Sequence, residues 1–242
     1  MLTAVRIVLL NTSHPGNIGA AARAMKTMGL EELCLVNPGR FPAAEATARA
    51  SGADDLLARA RIFDSLADAI KDCYLVVGAS ARARSIPCPV LDPHACARRI
   101  AGQGLNMKAA VLFGNEQSGL SNAEMDHCHY LVNIDANPEY SSLNLAAAVQ
   151  IIAYELRVAF AAHDDTVGAA VPEHVPVDSG EMQRFYEHLE QTLIELEFLN
   201  PENPRQLMRR LRRLYNRASP DSSEMNILRG ILAAALQKHG TN

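Results

Sequence analysis

Five short, nearly unbroken apolar runs punctuate the first two-thirds of this 242-residue chain: Val5–Leu10, Leu33–Val36, Leu75–Gly78, Ala109–Phe113 and Tyr130–Ile134. They restrict the fold more than any other feature. Each is too short for a helix, and none alternates apolar with polar residues as a strand with one wet face does. Such runs are strands buried on both faces, a condition met in parallel sheets flanked by helices. Helical patterns lie between and after them: Ile18–Met28, closed by Gly29, then Asp54–Ala60, Ser65–Asp72, Pro93–Ala101 and the alanine-rich Ala146–Arg157. The alternation predicts an α/β fold, a mostly parallel sheet covered by helices.

The character changes after Ala162. Residues 163–178 are rich in Asp, Gly, Pro and Val without a period and read as a linker. From Ser179 onward no strand signal remains. Glu181–Leu199, Pro204–Arg217 and Ser222–Lys238 read as three helices, the last opened by Asp221 or Ser222 with Glu224 in a capping pattern. The expected division is an α/β domain over 1–162, a linker over 163–178 and a small all-α domain over 179–242.

Composition excludes several classes. A hydrophobic content of 48% with 21% charged residues is that of an ordinary globular protein. The net charge of -4 carries no global basic signature, so any nucleic-acid surface has to be local. Five cysteines (Cys34, Cys73, Cys88, Cys96, Cys128) contain no C-x-x-C pair, which argues against a disulfide framework and a zinc site. The histidines lack ligand spacing, and His127, Cys128 and His129 crowd one short element; no metal is expected. The apolar runs read as too short for a bilayer, and Met1–Leu10 carries Arg6 and no cleavage pattern, so the expected location is the cytoplasm.

Three segments carry chemistry. Asn11–Gly19 (NTSHPGNIG) ends the first strand and opens the first helix, with Arg23 one turn further. Its glycines permit close backbone approach, and a helix N-terminus attracts an anion such as phosphate. Val111–Leu120 (VLFGNEQSGL) ends a strand in Gly114, where bare backbone suits a flat ligand ring. Asn137–Leu145 (NPEYSSLNL) sets Ser141, Ser142 and Asn144 between a strand and a helix start. Taken singly, each is also an ordinary capped turn. All three fall at carboxyl ends of strands, where α/β proteins hold ligands, so one shared pocket is expected. The G-x-G-x-x-G fingerprint of dinucleotide enzymes is missing, and Asn37 stands where its acid belongs.

Together the three segments resemble the SPOUT superfamily of methyltransferases, most closely its tRNA (cytidine/uridine-2'-O)-methyltransferase branch. Ser80–Arg84 (SARAR), Leu211–Leu214 (LRRL) and Asn226–Leu232 (NILRGIL) match as well, so the resemblance spans nearly the whole chain. It implies a sheet whose carboxyl-terminal part is threaded into a trefoil knot, which periodicity could not reveal. It implies S-adenosylmethionine held by Ala79, Ser80 and Ala81, by Gly114 with Ile134, and by Ser141, Ser142 and Leu143. It further implies a homodimer in which Arg23 of one subunit reaches the other's site. Arg23 and Ser142 would then be the catalytic residues, and the substrate the ribose 2'-OH of tRNA position 32, the first nucleotide of the anticodon loop. Two positions depart from the pattern: Cys88 stands between prolines where relatives commonly have an aromatic, and Asn115 replaces a residue often basic.

Arginine is effectively always protonated and makes a poor base. The expected role of Arg23 is to hold a neighbouring phosphate and stabilise charge growing on the 2'-oxygen, with Ser142 orienting that oxygen. Arg82 and Arg84 are candidate RNA contacts. Six arginines and no acid lie between Arg205 and Arg217. Helical spacing puts Arg205, Arg209, Arg212 and Arg213 on one broad face, with Leu207, Leu211 and Leu214 toward a core. That face is expected to track tRNA phosphates. The competing readings are a non-catalytic RNA-binding module of the same fold and a nucleotide-dependent enzyme of another type.

Overall fold

The computed structural model describes residues 2–80, 87–103, 107–164 and 174–239. Seven strands form one sheet: β1 (Val5–Leu10), β2 (Glu32–Val36), β3 (Arg61–Phe63), β4 (Leu75–Ala79), β5 (Val90–Leu91), β6 (Ala109–Phe113) and β7 (Tyr130–Val132). Their order is β3-β2-β1-β6-β4-β7-β5, and every neighbouring pair is parallel. The helices are α1 (Pro15–Met28), α2 (Ala44–Ala50), α3 (Asp54–Ala58), α4 (Leu66–Ile70), α5 (Pro93–Ala101), α6 (Asn122–Met125), α7 (Leu145–Asp164), α8 (Ser179–Glu195), α9 (Leu207–Ala218) and α10 (Ser222–His239). β7 lies between β4 and β5, and β6 between β1 and β4, so strands that follow one another in the chain are not neighbours in this half of the sheet.

Burial on β1 shows why the runs are continuous. Val5, Ile7 and Leu9 enter the core shared with α1, α2, α5 and α7, while Val8 and Leu10 enter the opposite core with α4 and α6. Successive side chains of a strand point to opposite faces, so both faces demand apolar residues. Arg6 is the exception, only 2% exposed. It donates to the Ala69 carbonyl at 2.6 Å and to Asp72 at 2.7 and 3.1 Å. Those hydrogen bonds outweigh the cost of burial and hold Asp72 well below the usual carboxylate range. A guanidinium from an interior strand thereby ties β1 to the end of α4.

α1 starts with Pro15 at its first turn and stops at Gly29, whose φ of 81° is the left-handed conformation glycine adopts freely. α7 packs against both α1 and α5. Contrary to the sequence reading, Leu145–Ala162 is long and apolar enough to cross a bilayer by composition. Glu155 and Arg157 interrupt its apolar run, which is why the sequence appears shorter in hydropathy than the helix is in length. The stripe Leu145, Val149, Ile152, Ala153 and Leu156 lies in the core, so water exclusion by the sheet accounts for that hydropathy.

α8, α9 and α10 enclose a third core of Val177, Met182, Phe185, Tyr186, Leu189 and Met225, with Tyr215 edge-on to Phe185 at 4.8 Å. Val177 belongs to this core, so its packing begins just ahead of α8. As the capping pattern predicts, Glu224 N–H donates to the Asp221 side chain and Asp221 N–H to the Glu224 side chain. The Ser179 and Gly180 N–H groups donate to the carbonyls of Cys73 and Lys71, which fixes α8 beside α4.

The arginine face of α9 differs from the expected one. Arg209 pairs with Asp126 at 2.7 Å, Arg212 stacks on Tyr186 at 4.4 Å and donates to Gln183, and Arg213 donates to the carbonyls of Cys128 and His129. These three are half-buried against the rest of the protein, while Arg205, Arg210 and Arg217 are exposed and Leu214 is 45% exposed. The physical reason is the acceptor set. Asp126 and the carbonyls ahead of β7 need donors, and α9 turns guanidiniums toward them.

Candidate functional site

Of the three chemistry-bearing segments, Val111–Leu120 and Asn137–Leu145 meet at the carboxyl ends of β4, β6 and β7, whereas Asn11–Gly19 ends β1 and lines none of the cleft found there. That cleft, of about 260 Å³, is lined by Ala79, Ser80, Gly114, Ile134, Ser141, Ser142 and Leu143 among others. All of these were picked out in the sequence. Ala81, Arg82 and Arg84 lie outside the described residues. The lining mixes apolar groups (Leu120, Val132, Ile134, Leu145) with the hydroxyls and amides of Ser118, Asn133, Ser141 and Ser142. It suits a ligand with one flat apolar part and several polar ends.

Gly114 is required by close approach. A Cβ there would lie 2.2 Å from the Gly119 carbonyl carbon and 2.3 Å from the Leu120 nitrogen, so the loop 114–120 folds directly over it. The bare backbone expected to meet a ligand is thus first needed by the chain's own turn. Gly19 is also a packing glycine. Its Cβ would lie 2.0 Å from the Ala46 carbonyl oxygen, so it seats α2 against α1 and does not serve a ligand.

The anion at the α1 N-terminus is supplied by the protein itself. The Glu116 carboxylate accepts from Ser13 N–H at 3.1 Å, Ser13 Oγ at 3.0 Å, His14 N–H at 3.3 Å and Asn17 Nδ2 at 3.0 Å. Burial pushes its pKa up, but the hydrogen bonds outweigh burial and bring it down to about 2. The expectation of an external phosphate at this helix end is corrected: the free N–H groups already hold a fixed charge.

A relay extends from that carboxylate. Asn17 donates to Glu116 through Nδ2 and accepts through Oδ1 from Asn144 Nδ2 at 3.0 Å, and Asn144 Oδ1 accepts from Ala146 N–H at the start of α7. Asn115 Nδ2 donates to the Asn11 carbonyl at 2.7 Å. One residue of each segment therefore bonds the next, and the loops form one unit. Asn144 was singled out in the sequence as a polar side chain at a helix start, whereas Glu116 and Asn17 were inside the quoted motifs without being singled out. The available signal was an acid in a strand-end loop beside a helix start lacking any acid of its own.

Arg23 does not line its own chain's cleft. It lies on the exposed side of α1, and its guanidinium makes no hydrogen bond or ion pair among the described residues. The cysteines are all free. Burial pushes Cys34 up to about 11 and Cys73 to about 12, which makes them inert packing groups. His129 is half-buried and accepts from Val76 N–H through Nδ1, and desolvation of its ring brings its pKa down to about 4. Ligand atoms of His174, Asp221 and Glu224 converge, but the two carboxylates are the cap of α10.

A parallel sheet of this strand order, with a cleft at the carboxyl ends of β4, β6 and β7, places the chain in a class, the methyltransferases of the SpoU type. Residues 4–154 match the SpoU rRNA Methylase family, and residues 180–242 match the tRNA methyltransferase TrmJ C-terminal domain. The TrmJ tRNA (cytidine/uridine-2'-O-)-methyltransferase of Salmonella choleraesuis is 52% identical over 242 residues, covering 99% of each chain. The Escherichia coli O6:K15:H31 protein of the same name is 51% identical over 245 residues, covering 100% of this chain and 99% of its own. The crystal structure of TrmJ from Z. mobilis ZM4 superimposes with a TM-score of 0.84 at 34% identity, covering 95% of this chain and 97% of that one. The chain belongs to the TrmJ family of SpoU methyltransferases.

Proposed function

We propose that this protein transfers a methyl group to the ribose 2'-oxygen of cytidine or uridine at position 32 of tRNA, with S-adenosylmethionine as donor. The observation that carries the reading is the bonded relay Glu116–Asn17–Asn144, through which the start of α1 ties together the two loops that border the cleft. The names of the Salmonella and Escherichia relatives support the reaction and the substrate class.

The cleft residues fit the donor: bare backbone at Ala79, Ser80 and Gly114, apolar contact from Ile134 and Leu143, and hydroxyls from Ser141 and Ser142. S-adenosylmethionine supplies an activated methyl group whose departure leaves a neutral sulfur, so no acid and no metal is needed. Catalysis then rests on positioning. Ser142, exposed on the cleft rim, orients the 2'-hydroxyl. Arg23, permanently charged and with no side-chain partner among the described residues, holds the neighbouring phosphate and stabilises charge on the 2'-oxygen in the other subunit's cleft.

The dimer is supported by the open side of α7. Ala147, Tyr154 and Val158 are exposed there, spaced along one face, with Tyr154 at 54% and Val158 at 40% exposure. We further infer that the chain around β7 is threaded as a trefoil knot, a reading supported by the strand order β6-β4-β7-β5. Residues 1–162 carry the chemistry, 163–178 link, and 179–242 hold tRNA, with Arg82 and Arg84 as further RNA contacts. A tRNA substrate assigns the protein to the cytoplasm.

The test is methyl transfer from labelled S-adenosylmethionine to unmodified tRNA, with product nucleosides resolved. 2'-O-methylcytidine or 2'-O-methyluridine at position 32 is expected. A methylated base would refute the ribose assignment. Donor binding without any transfer to tRNA would refute the substrate.

A further inference from the structure

The arginines of α9 divide by what they touch. Arg209, Arg212 and Arg213 satisfy acceptors of the protein, while Arg210 and Arg217 are exposed and make no ion pair among the described residues. Arg210 and Arg217 line a groove of about 470 Å³ with Arg213 and Leu214 between them, and Pro87, Cys88 and Pro89 form its other wall. No acidic residue lines the groove, and none occurs anywhere from Asn203 to Pro220. In a chain of net charge -4, this is a local cationic channel with apolar walls.

Its position ties it to the cleft. Leu131 N–H donates to the Pro89 carbonyl at the groove wall, and Asn133 N–H donates to the Leu91 carbonyl two residues on. Asn133 lines the cleft. About 7 Å of strand therefore separates backbone at the groove from backbone at the cleft edge.

We propose that this groove holds the ribose-phosphate backbone of the tRNA beside the nucleotide being methylated. Arg210 and Arg217 each contact a phosphate, and Leu214, 45% exposed, packs with Pro87 and Pro89 against a sugar or base. The two arginines are two helical turns apart, about 10.5 Å along α9, so a repeating polyanion engages both while one carboxylate reaches only one. Charge with flanking apolar surface is what a single-stranded nucleic acid requires. The proposal rests on tRNA being the substrate. It assigns the contact to residues other than the face that helical periodicity selects.

The test is an Arg210→Gln/Arg217→Gln variant of the full chain, with Arg184→Gln as control, an exposed arginine of α8 outside the groove lining. Affinity for unmodified tRNA is measured across a salt series, alongside S-adenosylmethionine affinity and the thermal midpoint. Loss of two phosphate contacts lowers the log–log salt slope by about 1.4 to 1.8. The expected result is that change with at least tenfold weaker tRNA binding, unchanged donor binding and a control that behaves as wild type. A slope and affinity within twofold of wild type, in a wild type that binds tRNA, would overturn the groove assignment alone. A wild type that neither binds nor methylates tRNA would remove the substrate reading and this proposal with it. Arg217→Gln alone, expected to lower the slope by about half as much, keeps the test open if the pair disturbs α9.

Discussion

Replacing Glu116 with glutamine keeps the shape of the side chain and removes its charge. Four donors converge on the carboxylate at 3.0 to 3.3 Å. A glutamine amide presents a donor of its own, so at least one of those N–H or O–H groups faces another donor and is left unsatisfied. The pKa falls from 4.5 to about 2 on folding. That shift corresponds to an upper bound of about 3.4 kcal/mol at about 1.36 kcal/mol per unit. Partial exposure of the site screens this, and a cost of about 2 kcal/mol is expected, in line with charge-assisted hydrogen bonds. For a chain of this length that is a drop of about 4 to 8 °C in the thermal midpoint. The sign with pH follows from linkage. A carboxylate with a depressed folded pKa contributes fully above about pH 4.5, and its contribution is lost as pH falls from there toward 2. Urea unfolding of wild type and Glu116→Gln at pH 7 and pH 3 should therefore show a gap that shrinks at the lower pH. Equal stability at pH 7, or a gap that does not change with pH, would refute the charged-cap argument. Because Asn17 and Asn144 hang from Glu116, the same variant should bind S-adenosylmethionine about tenfold more weakly.

Gly114→Ala forces a Cβ to 2.2 Å from loop backbone and should reduce donor affinity more than tenfold by calorimetry, whereas Gly19→Ala, pressed on Ala46, should cost about 1–3 kcal/mol in unfolding. If Gly19→Ala were neutral, α2 would not sit where described. Arg6→Ala leaves the Ala69 carbonyl without this donor and Asp72 with Lys108 alone, and should cost about 1–3 kcal/mol, read by chemical denaturation. Arg23→Ala should abolish tRNA methylation while donor affinity stays within about twofold, since the residue lies outside its own cleft. Arg23→Lys retaining most turnover would refute a bidentate phosphate contact.

Strand positions were legible because parallel packing demands apolar residues on both faces. β3 and β5 were not: they have three and two residues, and Ile62 and Val90 are 52% and 60% exposed. α6 carried a readable capping box in Ser121 and Glu124, yet four residues show no helical period. The cleft loops were legible by their place after strands, and Gly114, Ser141 and Ser142 fall together. Which group occupies the α1 N-terminus was not legible, because Glu116 is 99 residues from Asn17 and only the fold brings them together. The face of α9 that docks was also hidden. Periodicity separates arginines from leucines, but the acceptors at Asp126 and before β7 decide which arginines turn inward.

The relay through Asn144, Asn17 and Glu116 makes the three loops a poor target for piecemeal exchange. A loop transplanted from another scaffold would arrive with its amide or carboxylate mismatched to the two left behind. Each mismatch exposes an unsatisfied group at the mouth of the cleft. Redirecting this site to a new acceptor is better attempted on Ser118, Gln117 or the exposed Tyr140, which stand outside the chain of donors and acceptors just traced. Those positions can vary one at a time, whereas the three linked residues travel only as a set.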